Sequence, residues 1–184
     1  MTSQDYLKTV SKSKKPFIIY KSEKGFDLYT NFSKKIILTN KNINNFINKT
    51  NKKKLNCKNT DLFIGFFGYE ILNNLIGVKI KKQSNSHFPK GIFYKPEVKK
   101  ELSNTLIYKA TKAIKVNKNF KVNINKKYYT NIFNKFKEKI KSGETYQIKI
   151  CTKYKNTSQI DALEFFCRLT KSNMAPEAFM IRDK

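Results

Sequence analysis

The chain has 184 residues, 39% hydrophobic and 14% aromatic, enough for one domain with a real core or for part of a larger one. Its formal charge of +26 would suit a polyanion or an acidic membrane surface, yet Arg168 and Arg182 are the only arginines, and nucleic-acid readers lean on arginine for bidentate contacts. Lysine scattered from end to end beside Asn, Ile, Phe and Tyr follows an A- and T-rich codon bias, so no specific nucleic-acid partner is expected and the Lys52–Lys54 run reads as a solvated loop.

In chain order, residues 1–15 read as a polar leader. Phe17 to Tyr20 reads as a strand and Ser22 to Gly25 as a turn. Leu28 to Phe32 and Lys35 to Thr39 read as two further strands, because short apolar runs fit buried strands better than helices. Within the polar stretch 40–54, Ile43, Phe46 and Ile47 predict one short helix. Leu62 to Tyr69 reads as a strand whose glycines mark close backbone approach. Glu70 to Ile76 continues as a short helical segment, and Lys81 to Lys90 as a loop. Gly91 to Tyr94 and Thr105 to Ala110 read as strands separated by a Pro96 turn. The segment from Ile114 to Ile124 reads as an edge strand or a loop.

The pattern sharpens after that. Tyr129, Ile132, Phe133, Phe136 and Ile140 fall at helical spacing, with Gly143 where a helix C-cap belongs. From Tyr146 to Tyr154 the period changes to two, which predicts a strand. Asp161 and Glu164 form an N-cap pair before the apolar face of Ala162, Phe165, Phe166 and Leu169. Ala178 to Arg182 opens a last strand. The sum is a mixed α+β domain rich in strands.

The three cysteines, Cys57, Cys151 and Cys167, are odd in number and irregular in spacing, which argues against a disulfide framework and against a zinc site. Cys167 reads as a small buried hydrophobe. His87 is the only histidine, so a histidine-based catalytic dyad has little raw material. No apolar run approaches the roughly 20 residues that span a bilayer, and the N-terminus lacks a signal-peptide core. A cytoplasmic protein with no membrane partner is expected.

Several words then line up. GETYQ at Gly143 to Gln147 follows an amphipathic helix; IGFFGYEI runs from Ile64 to Ile71 and FPKGIFY from Phe88 to Tyr94. PFIIYKS at Pro16 to Ser22 precedes LYTNF at Leu28 to Phe32, and NMAPEAFM runs from Asn173 to Met180. In this order they resemble component I of anthranilate synthase and of aminodeoxychorismate synthase. The resemblance implies the N-terminal portion of the chorismate-utilising, anthranilate-synthase-like fold. Residues 1–124 are similar to the N-terminal region of component I, and 125–184 to the start of a truncated chorismate-binding region. Ala175-Pro176 is nearer the aminodeoxychorismate synthase form of the loop. Glu177, where an aromatic residue is usual, and the opening IIYKS both depart from tryptophan-inhibited anthranilate synthases.

What the resemblance implies for function is amination of chorismate with magnesium, the ammonia coming from a glutamine amidotransferase partner. The glutamates, histidine and arginine of the family's chorismate site lie outside the matched words, so neither catalytic residues nor magnesium ligands are expected in this chain, and the chain alone is expected to be inactive. Ser22, Asn173, Pro176 and Met180 correspond to a pocket for an aromatic amino acid, or else belong to a packed loop. Gly143, Glu144, Tyr146 and Gln147 form the motif turn. Glu144 serves that turn rather than chemistry. Tyr146 and Gln147 either touch an active-site edge, or Tyr146 is core and Gln147 hydrogen-bonds a neighbouring strand.

Overall fold

The computed structural model describes residues 2–52, 62–68, 71, 77, 89–110 and 117–183. The Lys52–Lys54 run beyond its first residue, Cys57, Tyr69, most of Glu70 to Ile76, His87, most of the Lys81 to Lys90 loop and Ile114 to Val116 lie outside them. The chain forms two compact units, one of Met1–Tyr108 with Phe166–Lys184, the other of Lys109–Phe165.

The first unit is built on β1 (Phe17–Ser22), β2 (Gly25–Ile37), β3 (Ile64–Phe67), β4 (Gly91–Leu102) and β7 (Ala178–Arg182). They form one sheet in the order β3-β4-β2-β1-β7, with every neighbouring pair antiparallel. The β1–β2 turn falls where Ser22 to Gly25 predicts it. The sheet curls, because Phe66 on β3 and Phe179 on β7, its two outermost strands, stack with ring centroids 6.4 Å apart. The concave face carries Ile18, Tyr29, Ile92 and Tyr94, with Tyr20, Phe32, Ile64, Phe66 and Ile181 packed against them.

Helices cover the other face. α1 (Ser3–Lys12) replaces the expected polar leader. Thr2 and Asp5 close a reciprocal capping box at its start, and Leu7 and Val10 are buried. Eight-residue windows of mixed polarity hide such a helix, since only every third or fourth position need be apolar. α2 (Ile43–Lys52) seats Phe46 on Phe93 of β4, ring centroids 4.8 Å apart, within a cluster of Leu38, Ile43, Ile71 and Phe93. Phe166 meets Phe26 edge-on at 6.3 Å.

One expected strand pair is a single long strand, and one expected turn lies inside a strand. β2 runs through residues 33 and 34, and β4 runs through Pro96 without a turn. Pro96 stands opposite Phe32, where the β2–β4 register shifts between Phe32 and Lys34, and Asn31 beside it has φ +50°. A bulge tolerates a proline, which has no N–H for the ladder. The expected strand at 105–110 is not formed. The closest approach is at Gly65, where a Cβ would lie 1.9 Å from the Ile92 carbonyl oxygen, so only glycine allows β3 to pair there.

The second unit holds β5 (Lys121–Val122), α3 (Lys126–Lys141) and β6 (Tyr154–Lys155). Asn125 caps α3 by accepting from Tyr128 N at 2.8 Å. The helix ends as the sequence predicts. Gly143 has φ +77°, Glu144 N donates to Lys139 O at 3.0 Å and Gly143 N to Ile140 O at 3.1 Å, the paired bonds of a Schellman motif. β5 and β6 pair over two residues each. The strand expected over 146–154 is otherwise unladdered. Its alternation survives as alternating exposure, with Ile148, Ile150 and Thr152 half-buried and Gln147, Lys149, Cys151 and Lys153 exposed. Period two marks a segment with two different faces; a strand also needs a neighbour to bond with. α4 (Ala162–Ser172) starts as predicted, with Asp161 Oδ1 accepting from Glu164 N at 2.9 Å. No described helix is long and apolar enough to cross a membrane.

Candidate functional site

Three places carry the sequence's candidate residues or comparable chemistry. The first is the motif turn of the second unit. Gly143 provides the left-handed residue that ends α3. Glu144 accepts from Lys139 Nζ at 2.6 Å and from Ser142 Oγ at 3.3 Å. The Lys139 hydrogen bond and its charge hold the Glu144 carboxyl below its ordinary range. A surface carboxylate kept ionised in this way suits the turn and not proton transfer near neutral pH. Thr145 Oγ1 donates to Gln147 O at 3.2 Å. Gln147 is exposed and Tyr146 is 92% exposed, so Tyr146 is not a core residue of this unit.

The second place is the loop after α4 in the first unit. Asn173 N donates to Leu169 O at 2.8 Å, closing the helix, while Asn173, Met174 and Pro176 are exposed. Strand β1 holds the loop at two points. Lys21 Nζ donates to the Ala175 carbonyl, and the Tyr20 hydroxyl hydrogen-bonds the Glu177 carboxylate, which raises the tyrosine pKa. Ser22 accepts from Lys24 N at 3.3 Å within the β1–β2 turn. Met180 pairs with Ile19, whereas Ser22 shares the parity of Ile18 and Tyr20, so the two side chains leave opposite faces of the sheet. Ser22 and Met180 therefore do not face the same side of the sheet. A cavity of about 230 Å³ in the same unit is lined by Lys21 and Met174, the chain neighbours of Ser22 and Asn173, with Phe26, Asn104, Thr105, Leu106, Cys167, Thr170 and Lys171.

The third place, not singled out by sequence, lies along the concave face. Asp27 receives the Tyr29 hydroxyl at 3.3 Å and the Lys99 ammonium at 3.1 Å. Asp183 receives the Tyr94 hydroxyl and the Lys35 ammonium, the latter at 2.6 Å. Burial pushes Tyr29 up to about 12, helped by the Asp27 charge, and burial with the Asp183 hydrogen bond raises Tyr94 further. Each carboxylate holds a lysine and a phenol. Such a matched set stabilises the fold and keeps both phenols protonated. The partners come from strands far apart in sequence, so no local spacing announces them.

Among the described residues no group of three or more His, Cys, Asp or Glu side chains could hold a metal ion.

The first unit is a curled antiparallel sheet that includes the IGFF and GIFY strands, with helices on its convex face and the NMAPEAFM segment leading into its last strand; the second unit carries the GETYQ turn. A family model described as chorismate binding enzyme matches residues 10–184. The chain belongs to that family of chorismate-utilising enzymes. No curated relative matches it.

Proposed function

We propose that the chain is the N-terminal part of an aminodeoxychorismate synthase component I, which converts chorismate and ammonia to 4-amino-4-deoxychorismate. The observation that carries this branch is the Ala175-Pro176 word in the loop after α4, inside the matched region. Ammonia would come from a glutamine amidotransferase subunit. Magnesium would clamp the substrate carboxylate through ligands outside the described residues. Anthranilate synthase component I is the second reading, favoured by the same family match.

Two features of the second unit support a chorismate site completed by further polypeptide. α3 has no buried residue although its apolar stripe is continuous, and residues 146–153 alternate without a ladder. Both are faces that a larger domain would cover. The test incubates chorismate, ammonium and magnesium with the 184-residue chain, and with a longer polypeptide joining it to a chorismate-binding C-terminal half. The expected result is no product from the chain alone and aminodeoxychorismate from the longer form. Anthranilate as product overturns the branch, and turnover by the chain alone overturns the placement of the site.

A further inference from the structure

We infer that the apolar face of α3 is a docking surface for an amphipathic protein helix rimmed by carboxylates. The inference rests on the reading that further polypeptide covers this face, and it gives that cover its chemistry. Tyr128, Tyr129, Phe133 and Ile140 are exposed along the stripe, and Ile132 and Phe136 are only half-buried. From Tyr129 to Ile140 the stripe runs about three turns, roughly 16 Å. That length suits a second helix lying alongside. At its N-terminal end the stripe opens into a groove of about 410 Å³, walled by Val122, Ile124, Tyr129 and Tyr154. A groove admits a protruding apolar anchor from a folded partner. The surface of a bilayer has no such knob, which favours a protein over a membrane.

The charge pattern selects the rims of the partner. At the helical repeat Lys126 and Lys137 fall on one margin of the stripe and Lys135 on the other. None of the three has an acidic partner among the described residues. The unit's own carboxylates are committed elsewhere. Glu138 pairs with Lys141 and Glu144 with Lys139. Asp161 caps α4, and the buried Glu164 accepts from Ala110 N at 2.9 Å. Codon bias accounts for the abundance of lysine, yet whatever docks here still meets these lysines. Carboxylates along both edges of the docking helix answer that field, and lysines there would oppose it. A second copy of the chain is the wrong occupant, because at +26 it would set lysine against lysine.

The test reads binding, so it stays separate from the turnover assay that tests the amination reading. Fluorescence anisotropy follows three labelled helical peptides of about 18 residues added to the 184-residue chain at about 0.15 M salt. All three share one leucine-rich face with a tryptophan anchor, and the residues flanking that face are glutamate, glutamine or lysine. The expected result is one saturable site for the glutamate-rimmed peptide, at least about tenfold tighter than for the glutamine-rimmed one, and none for the lysine-rimmed one. Tyr129→Ser with Phe133→Ser should abolish that site in a chain still folded by circular dichroism. Lys135→Gln with Lys137→Gln should weaken it about threefold or more, for the glutamate-rimmed peptide alone. Lys100→Gln, exposed on β4 in the other unit, should leave it unchanged. Glutamine rims binding as tightly as glutamate rims overturn the inference and leave the covered face standing. An absence of saturable binding overturns it too, as does an equal loss in Lys100→Gln, which would mark diffuse attraction to a basic chain. Displacement of the peptide by vesicles of phosphatidylserine and phosphatidylcholine would assign the face to a membrane and overturn it as well.

Discussion

Arg182 lays its guanidinium over the ring of Phe17, 4.4 Å from the centroid, while donating to the carbonyls of Val10, Ser11, Ser13 and Lys15. Strand β7 thereby satisfies the carbonyls that α1 leaves open at its C-terminus, with a positive charge where the helix dipole favours one. The fork is specific to arginine, whose planar donors reach several acceptors at once. Arg182→Lys keeps the charge and loses the fork. Arg182→Ala should cost about 2–4 kcal/mol in denaturant unfolding, with Arg182→Lys recovering less than half. An Arg182→Lys variant as stable as the parent would show that charge alone suffices.

Two glycines should respond differently to alanine. At Gly143 no atom of the described residues lies within 4 Å of the added methyl, so the cost is that of a side chain at φ +77°, about 1–2 kcal/mol, felt as fraying of α3. At Gly65 the methyl would sit 1.9 Å from the Ile92 carbonyl oxygen, backbone that cannot give way without parting β3 from β4. Amide hydrogen exchange should show lost protection at the end of α3 for Gly143→Ala. For Gly65→Ala the loss should run along the β3–β4 ladder. Equal and small effects would disprove the close approach.

Stability should fall at alkaline pH through the buried phenols. Tyr29 is raised by burial to about 12, and Tyr94 is raised by burial and its bond to Asp183. A group with a raised folded pKa binds its proton more tightly when folded. Its contribution is full below the unfolded value near 10 and is lost as pH climbs toward the folded value. Melting temperature should therefore decline steadily from about pH 10 upward. Tyr29→Phe and Tyr94→Phe should each flatten that decline, even where they lower stability at neutral pH. A slope unchanged in both variants would assign the decline to lysine deprotonation.

Binding to nucleic acid should be weak and indifferent to sequence. The charge is carried by lysines, and of the two arginines Arg182 is committed to α1 and Phe17. Lysine–phosphate contacts release counterions, so affinity should collapse between about 50 and 200 mM salt. Fluorescence anisotropy with duplexes of unrelated sequence tests this. A sequence-specific complex that survives physiological salt would contradict it.

The legible part of the fold is the part fixed by local chemistry. Gly143 sits where only a left-handed residue ends a helix, Asp161 where a side chain caps one, and the apolar runs of β1 and β7 where strands pair. Long-range partners decided the rest. Pro96 reads as a turn until Phe32 is seen opposite it at a register shift. Residues 146–153 have a strand's period, yet a ladder depends on a neighbour that no period specifies. Beside the loop after α4, the alternation of β1 sends Ser22 and Lys21 to opposite faces, and Lys21 is the one that lines the cavity, a distinction set by sheet pairing and not by the motif.

The apolar stripe of α3 should behave as surface. Tyr128, Tyr129, Phe133 and Ile140 are 54%, 40%, 48% and 41% exposed, and Tyr129 and Phe133 stack on each other at 6.5 Å. A contiguous apolar patch of this kind binds hydrophobic dyes even on a folded protein. Removing it withdraws little buried area, so stability should hardly change, in contrast with substitutions in a packed core. The double variant Tyr129→Ser, Phe133→Ser should therefore lose most of the dye fluorescence while its unfolding midpoint moves by no more than about 1 kcal/mol, the helix-propensity difference included. A core control, Ile19→Ala at a fully buried position of β1, should do the reverse, losing about 2–5 kcal/mol and gaining dye binding. If the α3 double variant instead unfolds as readily as the core control, the stripe is packed in solution, and the proposal that further polypeptide covers it loses its support.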